Sequence, residues 1–167
     1  MKFKKDLPST GTGDKNLVIL KDKESIQGIF MGDPYDYFCL WQNKKPVEVE
    51  PGTTGARFRF KLNFVVKVGA AYEVKIFENS QTVYEDIRAL AEIYNLETTV
   101  VRITRNGIDK ATTYSVMPLP NPVTPETQSV LKTLTLHDFW NKSKPQEEPW
   151  PEQQTHDGFG KHDEIPF

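Results

Sequence analysis

A single cysteine, Cys39, is all the chain has. One thiol excludes an internal disulfide and any paired-cysteine metal site, and an intracellular, reducing setting is the expectation. No apolar run approaches the roughly 18 residues that a membrane span requires, so no membrane partner is expected. The opening "MKFKKDLPST" lacks the apolar centre of a signal peptide. Hydrophobic residues make up 37% of 167, enough for one compact core with extensions but not for two full domains.

Charge balances only in the sum. Residues 1–120 hold 17 Lys+Arg against 15 Asp+Glu, a balance of +2, whereas residues 121–167 hold 4 against 8, a balance of −4. Residues 145–167 sharpen this to one Lys and six acids. The pattern is a mildly basic body followed by an acidic tail.

Residues 1–15 are polar and read as a flexible basic arm; "GTGDK" within them lacks the full spacing of a phosphate loop. From Leu17 the pattern is β-like, with "NLVILK" and "ESIQGIFMG" as one strand or two. "ARFRFKLNFVVKV" alternates, sending Phe58, Phe60, Leu62, Phe64 and Val66 to one face and Arg57, Arg59, Lys61 and Asn63 to the other. "YEVKIFE" follows after a turn at Gly69. The period then becomes helical, with Val83, Ile87, Leu90, Ala91 and Tyr94 on one face and Thr82 with Glu85 as a capping box. "TTVVRIT" and "ATTYSVM" flank an Asn106-Gly107 hairpin signal, and prolines 118, 120, 122 and 125 mark the close of the folded unit.

Three strands, a helix and a final two-strand hairpin predict a mainly β, five-stranded OB-fold Greek-key barrel over residues 16–120, with an open α+β sheet as the alternative. Residues 121–144 read as a short helical extension in which Val130, Leu131, Leu134, Phe139 and Trp140 pack back on the barrel. Residues 145–167 read as a disordered acidic tail.

The chemistry expected of such a chain is binding. Single strands need a groove of cations for phosphates and aromatic faces for bases. Arg57, Arg59 and Lys61 line one strand, Lys75 sits on its neighbour, and Arg102, Arg105 and Lys110 lie on or beside the last hairpin. "DPYDYFCLWQNKKP" sets Tyr35, Tyr37, Phe38 and Trp41 beside Lys44 and Lys45 in what reads as the first loop. Each group has a plainer reading: the strand cations as a solvated face, and Tyr35, Tyr37 and Phe38 as the closure of a barrel mouth. His137 and Asp138 are adjacent, and His156-Asp157 and His162-Asp163 repeat the pair in a tail without a metal-site scaffold. No carboxylate cluster suits magnesium-dependent cleavage, so neither metal, cofactor nor enzyme activity is expected.

The run "TVYEDIRALAEIYNLETTVVRITRNGIDKATTYSVMPLP", together with "GARFRFKLNFVV", resembles the OB-fold single-stranded-DNA-binding proteins of tailed bacteriophages, over residues 9–120. The resemblance implies a role in DNA replication, recombination and repair in the host-cell cytoplasm, with little sequence preference. Some phage proteins of this broad class carry a Cys/His zinc site, which a chain with one cysteine cannot match. The segment "DEIPF" separately resembles the acidic end of bacterial single-stranded-DNA-binding proteins, which finish in Asp-Ile-Pro-Phe; Glu164 stands where those have aspartate. That resemblance implies that Asp163, Glu164, Ile165, Pro166 and Phe167 recruit replication and repair enzymes, the last aromatic entering an apolar pocket with a basic residue beside it. A monomer or dimer is expected, and RNA binding or a protein-adaptor role is the alternative.

Overall fold

The computed structural model describes residues 15–141. Lys15–Asp138 form one compact unit; Phe139 and Trp140, whose rings lie 6.3 Å apart, belong to a separate one.

The alternating segment expected to be the clearest strand forms the centre of the sheet. It is β3, Arg57–Val68, and it pairs on one side with β4, Ala71–Ser80, and on the other with β1, Ser25–Gln42. Pleating turns Phe60, Leu62, Phe64 and Val66 into the main core, where all are buried. There Phe30 and Phe64 lie 4.9 Å apart and Phe60 and Phe77 6.0 Å. Each fully buried ring favours folding by about 1.5–3 kcal/mol relative to exposure.

Six strands form one antiparallel sheet in the order β4-β3-β1-β5-β6, with β5 as Thr99–Asn106 and β6 as Thr113–Pro122. The sixth strand, β2 at Lys45–Val49, pairs with the far end of β1. The sheet is open: among the described residues no ladder joins β4 to β6. Helix α1, Gln81–Ala91, connects β4 to β5 and seals the main core with Val83 and Ile87.

Several expectations are corrected here. "DPYDYFCLWQ" is strand rather than loop, because β1 crosses its Asp-Pro pair on a bulge. Gly32–Pro34 have no counterparts in β3 between the Met31–Asn63 and Tyr35–Lys61 pairings, and Gly32 takes a φ of 76°. A two-residue turn at Asn43-Lys44, both at positive φ, then returns the chain into β2, making six strands where five were expected. Residues 17–20 form only a bridge from Leu17 to Ile76. Pro118, Pro120 and Pro122 lie inside β6, which tolerates them as an edge strand.

The helix also begins differently. Its N-cap is Ser80, without a side-chain cap, and Gln81 bonds Glu85 at 3.0 Å, so Thr82 lies within the first turn. Ala91 and Tyr94 are exposed; Tyr84 and Leu96 pack on the core in their stead.

Residues 121–138 cover the second face of the sheet. Helix α2, Pro125–Leu131, is capped by Thr124, whose hydroxyl accepts from the Thr127 N–H at 3.2 Å. Val123 and Leu131 bury a second cluster with Ile29 and Val65, and Leu134 packs against it. Val130, expected to join them, is 44% exposed. Asn63, expected on the polar face of β3, is 3% exposed beneath this cover.

Candidate nucleic-acid interface

Among the described residues, 121–138 cover only one half of that second face. Beyond the Gly32–Pro34 bulge, β1 and β3 present their side chains in register, with Tyr35 opposite Lys61, Tyr37 opposite Arg59, and Cys39 opposite Arg57. Trp41 continues the row and faces Pro46 of β2. The period-two pleat thus converts two separate sequence segments into one surface of alternating aromatic and cationic groups.

The two tyrosines form a stack, with ring centroids 5.8 Å apart and planes 28° from parallel. Each hydroxyl is fixed to a carboxylate. Tyr35 donates to Glu48 on β2 at 2.7 Å, and Tyr37 donates to Glu78 on β4. Lys61 Nζ lies 5.5 Å from the Tyr37 ring centroid, within cation–π range. Arg59 Nε lies 3.6 Å from Glu78 Oε1.

Depth differs along the row. Tyr37 is 8% exposed and supports Tyr35 from below, whereas Trp41 is 56% exposed. Burial, and next the neighbouring Glu78 charge, hold the Tyr37 phenol far above its ordinary pKa, so it stays protonated and donating. Burial likewise pushes the Cys39 thiol up, keeping it an inert packing group. Phe38 faces the other way and packs against Phe58, 5.7 Å away, on the core side.

The remaining candidate cations are dispersed. Lys44 occupies the β1–β2 turn, and Lys45 stands opposite Gln42, one pleat out of phase with Trp41. Lys75 pairs across from Phe64, on the opposite face from Arg59, and lies 3.4 Å from Glu73. Arg102 is exposed between Gln27 and Met117, at the end of β1 before the bulge. Arg105 bonds the Leu20 carbonyl at 2.6 Å and the Thr112 hydroxyl at 3.3 Å, clamping the 20–24 turn to the last hairpin. Lys110 is exposed on the short 3-10 turn Asp109–Ala111.

The structure therefore brings together Tyr35, Tyr37, Trp41, Arg57, Arg59 and Lys61, and it does not bring Lys75, Arg105 or Lys110 into that patch. Asp163–Phe167 lie outside the described residues. Sequence reasoning missed Glu48 and Glu78, the two carboxylates that orient the tyrosines. Their only signal is register, because each stands one strand away from a patch residue. It also missed an apolar cavity of about 260 Å3 on the core side, lined by Phe30, Phe60, Tyr84, Ile87 and Leu96 with Arg88.

Among the described residues no group of three or more His, Cys, Asp or Glu is placed to hold a metal ion. No helix among them is long and apolar enough to cross a membrane. Comparison of the chain with protein-family models, curated proteins and solved structures returned no significant match.

Proposed function

We propose that this chain is a single-stranded-DNA-binding protein of OB type, acting in phage DNA replication, recombination and repair in the host cytoplasm. The observation that carries the reading is the juxtaposition of Tyr35, Tyr37 and Trp41 with Arg57, Arg59 and Lys61 on one sheet face, with Trp41 and Arg57 exposed and Tyr37 buried beneath them. Stacking surfaces beside cations are what a flexible strand of bases and phosphates requires, and they are tolerant of sequence because every base has a π-face.

Topology supports the OB assignment. With β2 regarded as a hairpin arm between β1 and β3, five strands remain, paired β1-β3, β3-β4, β1-β5 and β5-β6, with a helix between β4 and β5. That order fits a partly open five-stranded Greek-key barrel, and the middle-strand face of such a fold is its usual oligonucleotide surface. The role is binding rather than catalysis. The Asp163–Phe167 segment is assigned partner recruitment on its sequence alone, with Phe167 as the apolar anchor and Asp163 and Glu164 steering the encounter.

The deciding experiment is an affinity titration against oligo-dT, matched oligo-U and duplex DNA over a range of salt. Oligo-dT should bind more tightly than duplex, and the log–log salt slope should be about −0.7 for each phosphate contacted. Equal affinity for duplex would overturn the single-strand reading, and tighter binding of oligo-U would reassign the surface to RNA.

A further inference from the structure

An anion-binding face with a carboxylate at its centre presents a conflict. Glu78 stands directly opposite Lys61 in the β3–β4 ladder. Its Oε1 accepts the Tyr37 hydroxyl and lies 3.6 Å from Arg59 Nε. The Glu78 and Arg59 side chains are only 13% and 28% exposed, and Arg59 Nε makes no hydrogen bond of its own. Opposite charges at this depth are screened less than at an open surface, so the two hold one another strongly. A phosphate arriving at Arg59 would find its charge already offset by that carboxylate.

The four groups are also mechanically connected. Tyr37 lies beneath Tyr35, Lys61 lies over Tyr37, and Arg59 stands opposite Tyr37 in the β1–β3 ladder. A guanidinium whose Nε faces Glu78 therefore stands beside Tyr37 with its charge already balanced. Arg57, two residues away and exposed, pairs with Cys39 in the β1–β3 ladder and makes no ion pair among the described residues.

We propose that Glu78 is a built-in counter-anion: it neutralises Arg59 and fixes Tyr37, making Arg59 a positioning residue of the tyrosine stack while Arg57 and Lys61 meet the phosphates. The proposal deepens the single-stranded-DNA reading of the same face and rests on it. Glu78 caps the number of phosphate contacts and so sets the salt dependence of binding. It also divides the face into a neutral strip for bases over the tyrosines and a cationic margin for the backbone.

The test uses the full chain with Glu78→Gln and the double variant Arg59→Gln/Glu78→Gln, read on oligo-dT and on a heparin column. Glu78→Gln keeps the shape and an acceptor for Tyr37 but frees Arg59. Its salt slope on oligo-dT should steepen by about 0.7, one further contact, with higher affinity at low salt. The double variant removes a neutral pair and should keep the parent slope. A parent slope for Glu78→Gln, or a double variant shallower by about 0.7, overturns the proposal.

Heparin carries the same charge chemistry without bases, so it separates the two readings. Later elution of Glu78→Gln from heparin, with no oligo-dT binding by the parent, would support the counter-anion and sink the DNA reading. Co-elution with the parent would overturn the counter-anion even if oligo-dT is bound. Should Glu78→Gln fail to fold, the double variant decides alone, because replacing both members of a poorly solvated ion pair is commonly tolerated.

Discussion

Asn63 and His137 stand 74 residues apart and are joined through the His137 backbone: the Asn63 amide donates to the His137 carbonyl at 3.1 Å, and its carbonyl accepts from the His137 N–H at 2.8 Å. His137 Nε2 lies 3.0 Å from the Val74 carbonyl. Among the described residues this junction ends the cover that 121–138 make over the second face, and Lys61 and Arg59 beyond it on β3 are part-exposed.

Replacing Asn63 with Ala should accordingly destabilise the protein by about 1–3 kcal/mol, since buried groups lose their partner. His137→Ala should cost less, because both Asn63 bonds go to the backbone. Urea midpoints of the two variants check the ordering, and equal losses would show that the imidazole rather than the backbone makes the seal.

Trp41 is the exposed end of the aromatic row. Its fluorescence should be quenched by oligo-dT in a protein whose Trp140 and Trp150 are replaced, and Trp41→Ala should weaken binding by about 1–3 kcal/mol. Tight binding with unchanged emission would remove Trp41 from the interface.

Gly28 marks a close approach of β1 to β3. A Cβ there would come 2.5 Å from the Val65 carbonyl oxygen and 2.7 Å from the Phe64 ring. Both neighbours are buried in the sheet, so Gly28→Ala should cost about 1–3 kcal/mol in thermal or urea unfolding. Full parental stability would mean that the strands separate more readily than their packing indicates.

Tyr37 predicts a pH effect with a definite sign. Its folded pKa is raised, by burial first and by Glu78 next, above an unfolded value of about 10. The stability it contributes is fully present below about pH 10 and is lost as pH rises beyond it, because the unfolded chain releases the proton while the folded one retains it. Tyr37→Phe should flatten the alkaline limb of a stability–pH curve, and a limb of unchanged steepness would assign it to other groups.

Phe167→Ala should leave oligo-dT affinity unchanged while removing replication or repair enzymes from a host-extract pull-down. Identical partner lists for parent and variant would sink the recruitment role.

The aromatic alternation of β3, the helix at Val83–Ile87 and a hairpin after Asn106 were legible in the sequence, because each is a local periodicity or a turn preference, although the hairpin loop runs over 107–112 with a 3-10 turn. β1 past Met31 was not. Asp33-Pro34 is a turn signal by itself, and only pairing with β3 across a bulge lets the strand continue. Thr82–Glu85 misled for the opposite reason: a correct local motif was overridden when β4 ran directly into the helix at Ser80.

For the site, the sequence by itself determined which residue types are available: cations at alternate positions of one strand, and aromatics at alternate positions of another. Side-chain period within a strand is a covalent property of the extended backbone, so it can be read without a fold. Which of those residues meet was decided only by tertiary structure. Register placed Tyr35 against Lys61 and Tyr37 against Arg59, supplied Glu48 and Glu78 from strands outside both segments, and turned Lys75 to the far side. The cover of residues 121–138 then closed the half of the face around Ile29 and Val65. Register is fixed by the burial of whole faces and by one bulge, which are long-range effects that no short stretch of sequence carries.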